Sequence, residues 1–337
     1  MQASGKLPPE PQPIYSRRPQ WATMTTADIS RQRAWLMAAR PQTLPAAAAP
    51  VIVGVGLALQ QDVFSLFPAL AALVGAELIQ IGTNFANDYY DAVKGTDEAD
   101  REGFTRVTAG GLIAPREVKW AMILTYCLAV LIGVYLVSIG GVPIVLVGLG
   151  GIASGILYTG GPYPFGYYGL GDLFVFIWFG IVAVVGTYYV QAVEAAGVGA
   201  FPTWIPAGAN ALPTVAIVVS LPAAALSTAI LVVNNVRDLE SDEAAGKYTL
   251  AVILGYRLSR VEYVGLLALA YLTPVWLWLG FGFDLPVLLP LGTLPYAASV
   301  ARTVLIETSG EALNPALSRT GILLFGFSVL FAVGMVI

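Results

Sequence analysis

Apolar runs of about twenty residues, bounded by Gly, Pro or charged clusters, recur nine times along this chain and constrain its fold more than any other feature. They lie near residues 43–60, 65–90, 120–139, 141–159, 170–192, 213–236, 261–281, 285–301 and 320–337. An α-helix rises about 1.5 Å per residue, so each run is long enough to cross a hydrocarbon core about 30 Å thick. Within lipid every backbone polar group must be satisfied inside its own segment, and a helix does this. Composition agrees: 57% of the 337 residues are hydrophobic and 11% are charged, against about 25% charged in an ordinary soluble domain. The expectation is an all-α, polytopic protein of nine transmembrane helices in a lipid bilayer, with no nucleic-acid partner.

The cations test that topology, because Lys and Arg collect on the cytoplasmic side. All 17 fall in alternate segments: before the first run, and after the second, sixth and eighth. The intervening loops carry Asp62, Glu194 and Asp284 and no cation. This partition places the N-terminus in the cytoplasm and the C-terminus outside; the expected location is the plasma (inner) membrane. Residues 1–34, Pro-rich and polar, read as a disordered cytoplasmic tail, and 35–337 as the membrane domain. The single Cys127 rules out a disulfide framework within the chain. With no histidine, His-ligated haem, the usual zinc sites and a His general base are excluded.

The acids are placed less conventionally. Glu77, Gln80, Asn84, Asp88 and Asp91 recur every three or four residues at the end of the second run, forming a polar stripe on one helix face. Ser227, Asn234, Asn235, Asp238 and Asp242 repeat the device at the end of the sixth. Such stripes are costly in lipid and belong on a hydrated interior, so the helices should surround a central cavity opening near the cytoplasmic face. Crowded carboxylates repel unless a cation joins them. Carboxylate and amide oxygens suit Mg²⁺, which is completed by water and substrate phosphates. Asp88, Asp91, Asp238 and Asp242, with Asn84 and Asp97 as further candidates, are the expected catalytic and metal-holding groups. Lys94, Arg101, Arg106, Arg237 and Lys247 lie close by in sequence and suit a diphosphate. Asn87, Arg40 and Tyr158 are added as pocket candidates. Tyr163, Tyr167 and Tyr168 either cover the pocket or belong to an interfacial belt, and Asp172 either faces it or caps a helix.

At these residues the chain resembles the UbiA superfamily of intramembrane prenyltransferases. Asn84 to Asp91 matches its first Asp motif and Asp238 to Asp242 its second. Ala39-Arg40-Pro41 through Pro45, Asn84 through Asp97, and Asn234-Asn235-Val236-Arg237-Asp238 through Leu250 are most similar to the branch that prenylates 1,4-dihydroxy-2-naphthoate. The likeness runs from about Ala38 to the C-terminus. It departs after Gly160-Gly161-Pro162, where a basic residue is common in the family and Tyr163-Pro164-Phe165-Gly166 stands here.

The resemblance implies a nine-helix fold and Mg²⁺-dependent transfer of a polyprenyl group from polyprenyl diphosphate to 1,4-dihydroxy-2-naphthoate. The ring carboxylate would leave, giving demethylmenaquinone, or a phylloquinone precursor if the donor is phytyl. Other aromatic acceptors (4-hydroxybenzoate, homogentisate, a tetrapyrrole) are alternatives within the class. An ion-coupled secondary transporter is the alternative outside it, since facing carboxylates also describe a coupling site.

Overall fold

The computed structural model describes residues 29–95, 107–198, 204–205 and 213–337. Twelve α-helices make up these residues: α1 (Arg31–Ala39), α2 (Leu44–Gln60), α3 (Leu66–Lys94), α4 (Pro115–Gly140), α5 (Val142–Leu157), α6 (Gly171–Phe176), α7 (Ala183–Ala196), α8 (Thr214–Arg237), α9 (Leu239–Ala244), α10 (Leu250–Gly280), α11 (Leu294–Ile306) and α12 (Gly310–Val336). Among the described residues, eight stretches are long and apolar enough to cross a membrane. Val142–Leu157, the run expected to be the fourth span, is an apolar helix of 16 residues, about 24 Å long.

Several boundaries differ from the apolar runs for physical reasons. α10 begins at Leu250, eleven residues ahead of the apolar run; it is broken at Gly255, and the helix that resumes there already carries Arg257 and Arg260 before the run begins. α1 starts at Arg31, inside the segment assigned to the tail, with the Ser30 hydroxyl accepting from the Arg33 amide as N-cap. Residues 1–28 lie outside the described residues.

α8 is the central element, buried along most of its length. Its run Ala223-Ala224-Ala225 is fully buried, and small side chains let neighbouring backbones approach where lipid supplies no hydrophobic drive. Between α6 and α7 the chain forms a π-helical turn, Ile177–Val182. A Cβ added to Gly180 there would fall 2.1 Å from the Ala224 Cβ and 2.7 Å from its backbone N. The wide turn and the absent side chain thus seat this span directly on α8. On α4, Leu124, Leu128 and Leu131 face outward, as a lipid-contacting surface requires.

α8 ends at Arg237 and α9 resumes at Leu239. The Asp242 amide donates to the Asp238 carbonyl at 2.7 Å across the junction, so the second Asp pair keeps helical spacing.

Candidate active site

A cavity of about 880 Å³ lies among α2, α3, α5, the α6–α7 span, α8 and α12. Where α3 is still apolar, its walls include Gly148, Gly151, Trp178, Phe179 and Phe325. Where α3 and α8 end, the lining becomes polar and charged.

From α3 the cavity receives Gln80, Asn84, Asn87 and Asp91. Steps of four, three and four keep these residues within a narrow arc. Asn84 donates from Nδ2 to the Ala39 carbonyl and to Thr43 Oγ1, both at 2.9 Å, and Gln80 Nε2 donates to the same hydroxyl at 2.9 Å. These bonds hold the turn between α1 and α2, where Arg40 adopts a left-handed conformation (φ 50°, ψ 65°). That conformation costs a residue with a side chain about 1–2 kcal/mol. Arg40 lines the cavity as expected.

Asp88 is placed differently from the expectation. Neighbours on a helix point about 100° apart, and here Asn87 turns toward the cavity while Asp88 turns away from it. Asp88 is 2% exposed and does not line it. Its carboxylate accepts from the amides of Val107 (3.2 Å) and Thr108 (3.1 Å) and from the Thr108 hydroxyl, anchoring the chain as it returns toward α4. Glu77 also lies off the cavity, with a buried Oε2 that has no hydrogen-bond partner.

Lys94 likewise serves the surrounding structure: its ammonium donates to the carbonyls of Thr159 (2.6 Å) and Gly161 (3.1 Å). The Thr159 hydroxyl in turn donates to Asn87 Oδ1 at 3.0 Å, so the end of α3 is stitched to the loop following α5. The Gly-Gly-Pro loop that lacks a cation of its own therefore holds one supplied by α3. Tyr158 lines the cavity. Asp172, considered as a cap, is the second residue of α6 behind an N-cap at Leu170, and its buried Oδ2 has no hydrogen-bond partner. Asp97, Arg101 and Arg106 lie outside the described residues.

Asp91 is the acid of α3 that reaches the cavity. It is 1% exposed, accepts from the Tyr167 hydroxyl at 2.6 Å, and lies 3.7 Å from Lys247 Nζ. The Tyr167 ring also sits 4.9 Å from Lys247 Nζ and 5.3 Å from Lys94 Nζ, within reach of attraction between cation and aromatic face. The Tyr248 amide donates to the Tyr167 carbonyl at 3.0 Å. This bridge, with the Lys247 amide donating to the Asp242 carbonyl at 2.8 Å, holds Lys247 between the two clusters.

The second cluster is built as its spacing predicts. Ser227, Asn234, Asn235, Asp238 and Asp242 all line the cavity. Arg237 grips Asp238 with two hydrogen bonds, Nε to Oδ1 at 2.8 Å and Nη2 to Oδ2 at 2.7 Å. The guanidinium also donates to Asn234 Oδ1 (2.9 Å) and to Asn314 Oδ1 on α12 (2.8 Å). Asn314 and Tyr167 are the residues that sequence reasoning did not assign to the site. Tyr167 stood out only as one of several loop tyrosines, and Asn314 lies ahead of its apolar run with no periodic signal.

Three carboxylates and the amides of Asn87, Asn234 and Asn235 around one cavity form a hard oxygen donor set, which fits Mg²⁺. Among the described residues no three acids converge closely enough to hold a cation unaided. Mg²⁺ commonly takes only one or two protein carboxylates and completes its shell with water and substrate phosphate.

The helical bundle thus encloses a cavity, largely apolar along its walls and lined at one end by acids and bases. The UbiA prenyltransferase family model matches residues 47–332, and the chain belongs to that family. It is therefore a prenyltransferase and an integral, multi-pass membrane protein.

The chain is 39% identical over 316 residues to the 1,4-dihydroxy-2-naphthoate octaprenyltransferase of Escherichia coli (strain K12), covering 88% of this chain and 93% of that one. It is 39% identical over 288 residues to the enzyme of the same name from Mycobacterium tuberculosis (strain ATCC 25618 / H37Rv), covering 86% and 91%. A solved structure of a UbiA homolog from Archaeoglobus fulgidus bound to DMAPP and Mg²⁺ shares the fold, with a TM-score of 0.58 at 18% identity, covering 89% of this chain and 99% of that one.

Proposed function

We propose that this enzyme transfers a polyprenyl group from polyprenyl diphosphate to 1,4-dihydroxy-2-naphthoate in a Mg²⁺-dependent reaction, yielding demethylmenaquinol, the reduced form of demethylmenaquinone. The observation that carries the reading is one cavity whose polar end gathers Asp91, Asp238 and Asp242 with Arg237 and Lys247, while much of the remaining wall is apolar. The names of the similar bacterial enzymes support the acceptor. In this reading α5 counts as a ninth span, the N-terminus is cytoplasmic and the C-terminus outside, in the plasma membrane. The cavity's polar end then faces the cytoplasm.

Asp91, Asp238 and Asp242, aided by Asn87 and Asn234, would hold Mg²⁺, which when bound neutralises charge on the departing diphosphate. Lys247 and Arg237 donate to diphosphate oxygens where negative charge develops as the allylic carbon–oxygen bond breaks and its electron pair leaves with the diphosphate. The apolar walls exclude water, which would otherwise capture the allyl cation. Arg40 and Tyr158 are assigned to the acceptor. The ring carbon bearing the carboxylate attacks the cation, and carbon dioxide departs leaving its bonding pair to restore aromaticity, so the step needs no base. Asp88 and Lys94 act by fixing the loops around the site.

Tyr167 orients Asp91. In Tyr167→Phe the ring stays between the two lysines but the hydrogen bond is lost. A hydrogen bond to a charged group is worth about 1.5–3 kcal/mol, so the Mg²⁺ concentration for half-maximal activity should rise about tenfold or more with little change in thermal stability. Titration of turnover against Mg²⁺ checks this; an unchanged half-maximal concentration rejects the role.

The purified enzyme, given 1,4-dihydroxy-2-naphthoate and a polyprenyl diphosphate, should form prenylated, decarboxylated product with Mg²⁺ and none with EDTA, read by mass spectrometry. Diphosphate release without naphthoate product would replace the acceptor by another aromatic ring. Absence of turnover with every donor and acceptor tried would overturn the proposal. The ion-coupled transporter is disfavoured by membership of an enzyme family and by acids gathered at one end of the cavity.

A further inference from the structure

Outside the reaction cavity, α10 and α11 form a groove of about 630 Å³ whose lining includes Tyr256, Arg257, Arg260, Val261, Val264 and Leu305. Arg257, Val261 and Val264 follow at steps of four and three, so they share one face of α10. Val261, Val264 and Leu305 are all exposed. Nothing lies within 4 Å of where a Cβ on Gly265 would sit, which leaves the groove open beside them.

The two arginines are held differently. Arg260 is fixed: Nε donates to the Val304 carbonyl at 3.1 Å, Nη2 donates to the Glu307 carbonyl at 2.8 Å, and the guanidinium lies 5.6 Å from the Tyr256 ring centre. Arg257 is exposed, and among the described residues it has no hydrogen bond, ion pair or ring contact. Two acids border the groove: Glu240 on α9, reached by the Tyr256 hydroxyl at 3.4 Å, and Glu307, whose carbonyl accepts from Arg260. The contact between Tyr256 and Glu240 also sets the groove at the same membrane face as Asp238 and Asp242. Gly255 (φ 71°, ψ 170°) breaks α10 one residue before Tyr256, so the positive pole of the restarted helix adds to the charge at this level.

We infer that this groove binds an anionic phospholipid of the surrounding bilayer, its phosphate on Arg257 beside the fixed Arg260 and an acyl chain along Val261, Val264 and Leu305. An unpaired cation above an apolar channel at a membrane interface is matched by a ligand with an anionic head and a hydrocarbon tail. Basic pockets between transmembrane helices bind anionic lipid head groups on this principle.

The test uses the full chain in nanodiscs of equal phosphatidylglycerol and phosphatidylcholine, released into native mass spectrometry. Wild type should retain phosphatidylglycerol over phosphatidylcholine at least fivefold. Arg257→Gln, which breaks no contact seen within the protein, should lose that preference with unchanged prenyl transfer, and Arg257→Lys should keep much of it. Equal retention of the two lipids by wild type, or an undiminished preference in Arg257→Gln, overturns the inference. Displacement of the bound lipid by geranylgeranyl diphosphate at the concentration that saturates turnover would assign the groove to the donor instead and equally overturn it.

Discussion

Asp91→Asn and Asp242→Asn should each cut prenyl transfer by about 10²- to 10³-fold, the range found when a group that stabilises transition-state charge is removed. Both acids are buried in the cavity wall, at 1% and 3% exposure, and asparagine keeps their shape while deleting the charge. For Asp91 the loss also leaves Lys247, 3.7 Å away, without its anionic partner. Asp88→Asn should behave differently. Its carboxylate accepts from two amides and a hydroxyl around Val107–Thr108, so the change costs stability of about 1–3 kcal/mol and lowers activity less than Asp91→Asn. Paired turnover and thermal-melting measurements on the three variants check this ordering. Equal loss of turnover in all three without a stability difference would return Asp88 to the reaction itself.

The second large effect concerns Arg237→Met. Arg237 and Asp238 are 7% and 2% exposed and joined by two hydrogen bonds. Removing one partner of a buried pair strands the other charge at a cost of about 3–5 kcal/mol. Arg237→Met should therefore melt well below wild type, and Arg237→Met/Asp238→Asn should recover most of the loss while remaining inactive. Mg²⁺ should stabilise Arg237→Met more than wild type, because a cation beside Asp238 replaces the missing guanidinium charge. A melting temperature for Arg237→Met equal to that of wild type would show that water or another group already satisfies Asp238.

Much of this was legible in the chain because lipid imposes a length and a charge sidedness that sequence records directly. The eight long spans and the two polar stripes follow from apolar runs and three-to-four-residue spacing. What escaped depends on arcs and tertiary contacts. Spacing grouped Asp88 with Asp91, yet Asn87 is the neighbour that turns inward, and only the return of Val107 and Thr108 shows what Asp88 does. The π-turn at Ile177–Val182 is set by how Gly180 meets Ala224, a contact between residues far apart in the chain. The left-handed Arg40 is held by Asn84 and Gln80 through Ala39 and Thr43, and no local pattern marks it. Asn314 reaches the site because α12 extends below its apolar run.

The pairing of Asp91 with Lys247 and of Asp238 with Arg237 bears on selectivity in a cell crowded with other ions. A pocket in which Asp91 and Asp238 are already answered by the protein's own cations would exert little pull on a stray calcium or manganese ion. It offers an equally weak welcome to a bare phosphate. Only a visitor that brings both signs together, a divalent ion already seated on a diphosphate, can exchange partners with each pair at once. If the proposed reaction is the one catalysed, the empty enzyme would thereby favour the loaded complex over either of its parts before any chemistry begins.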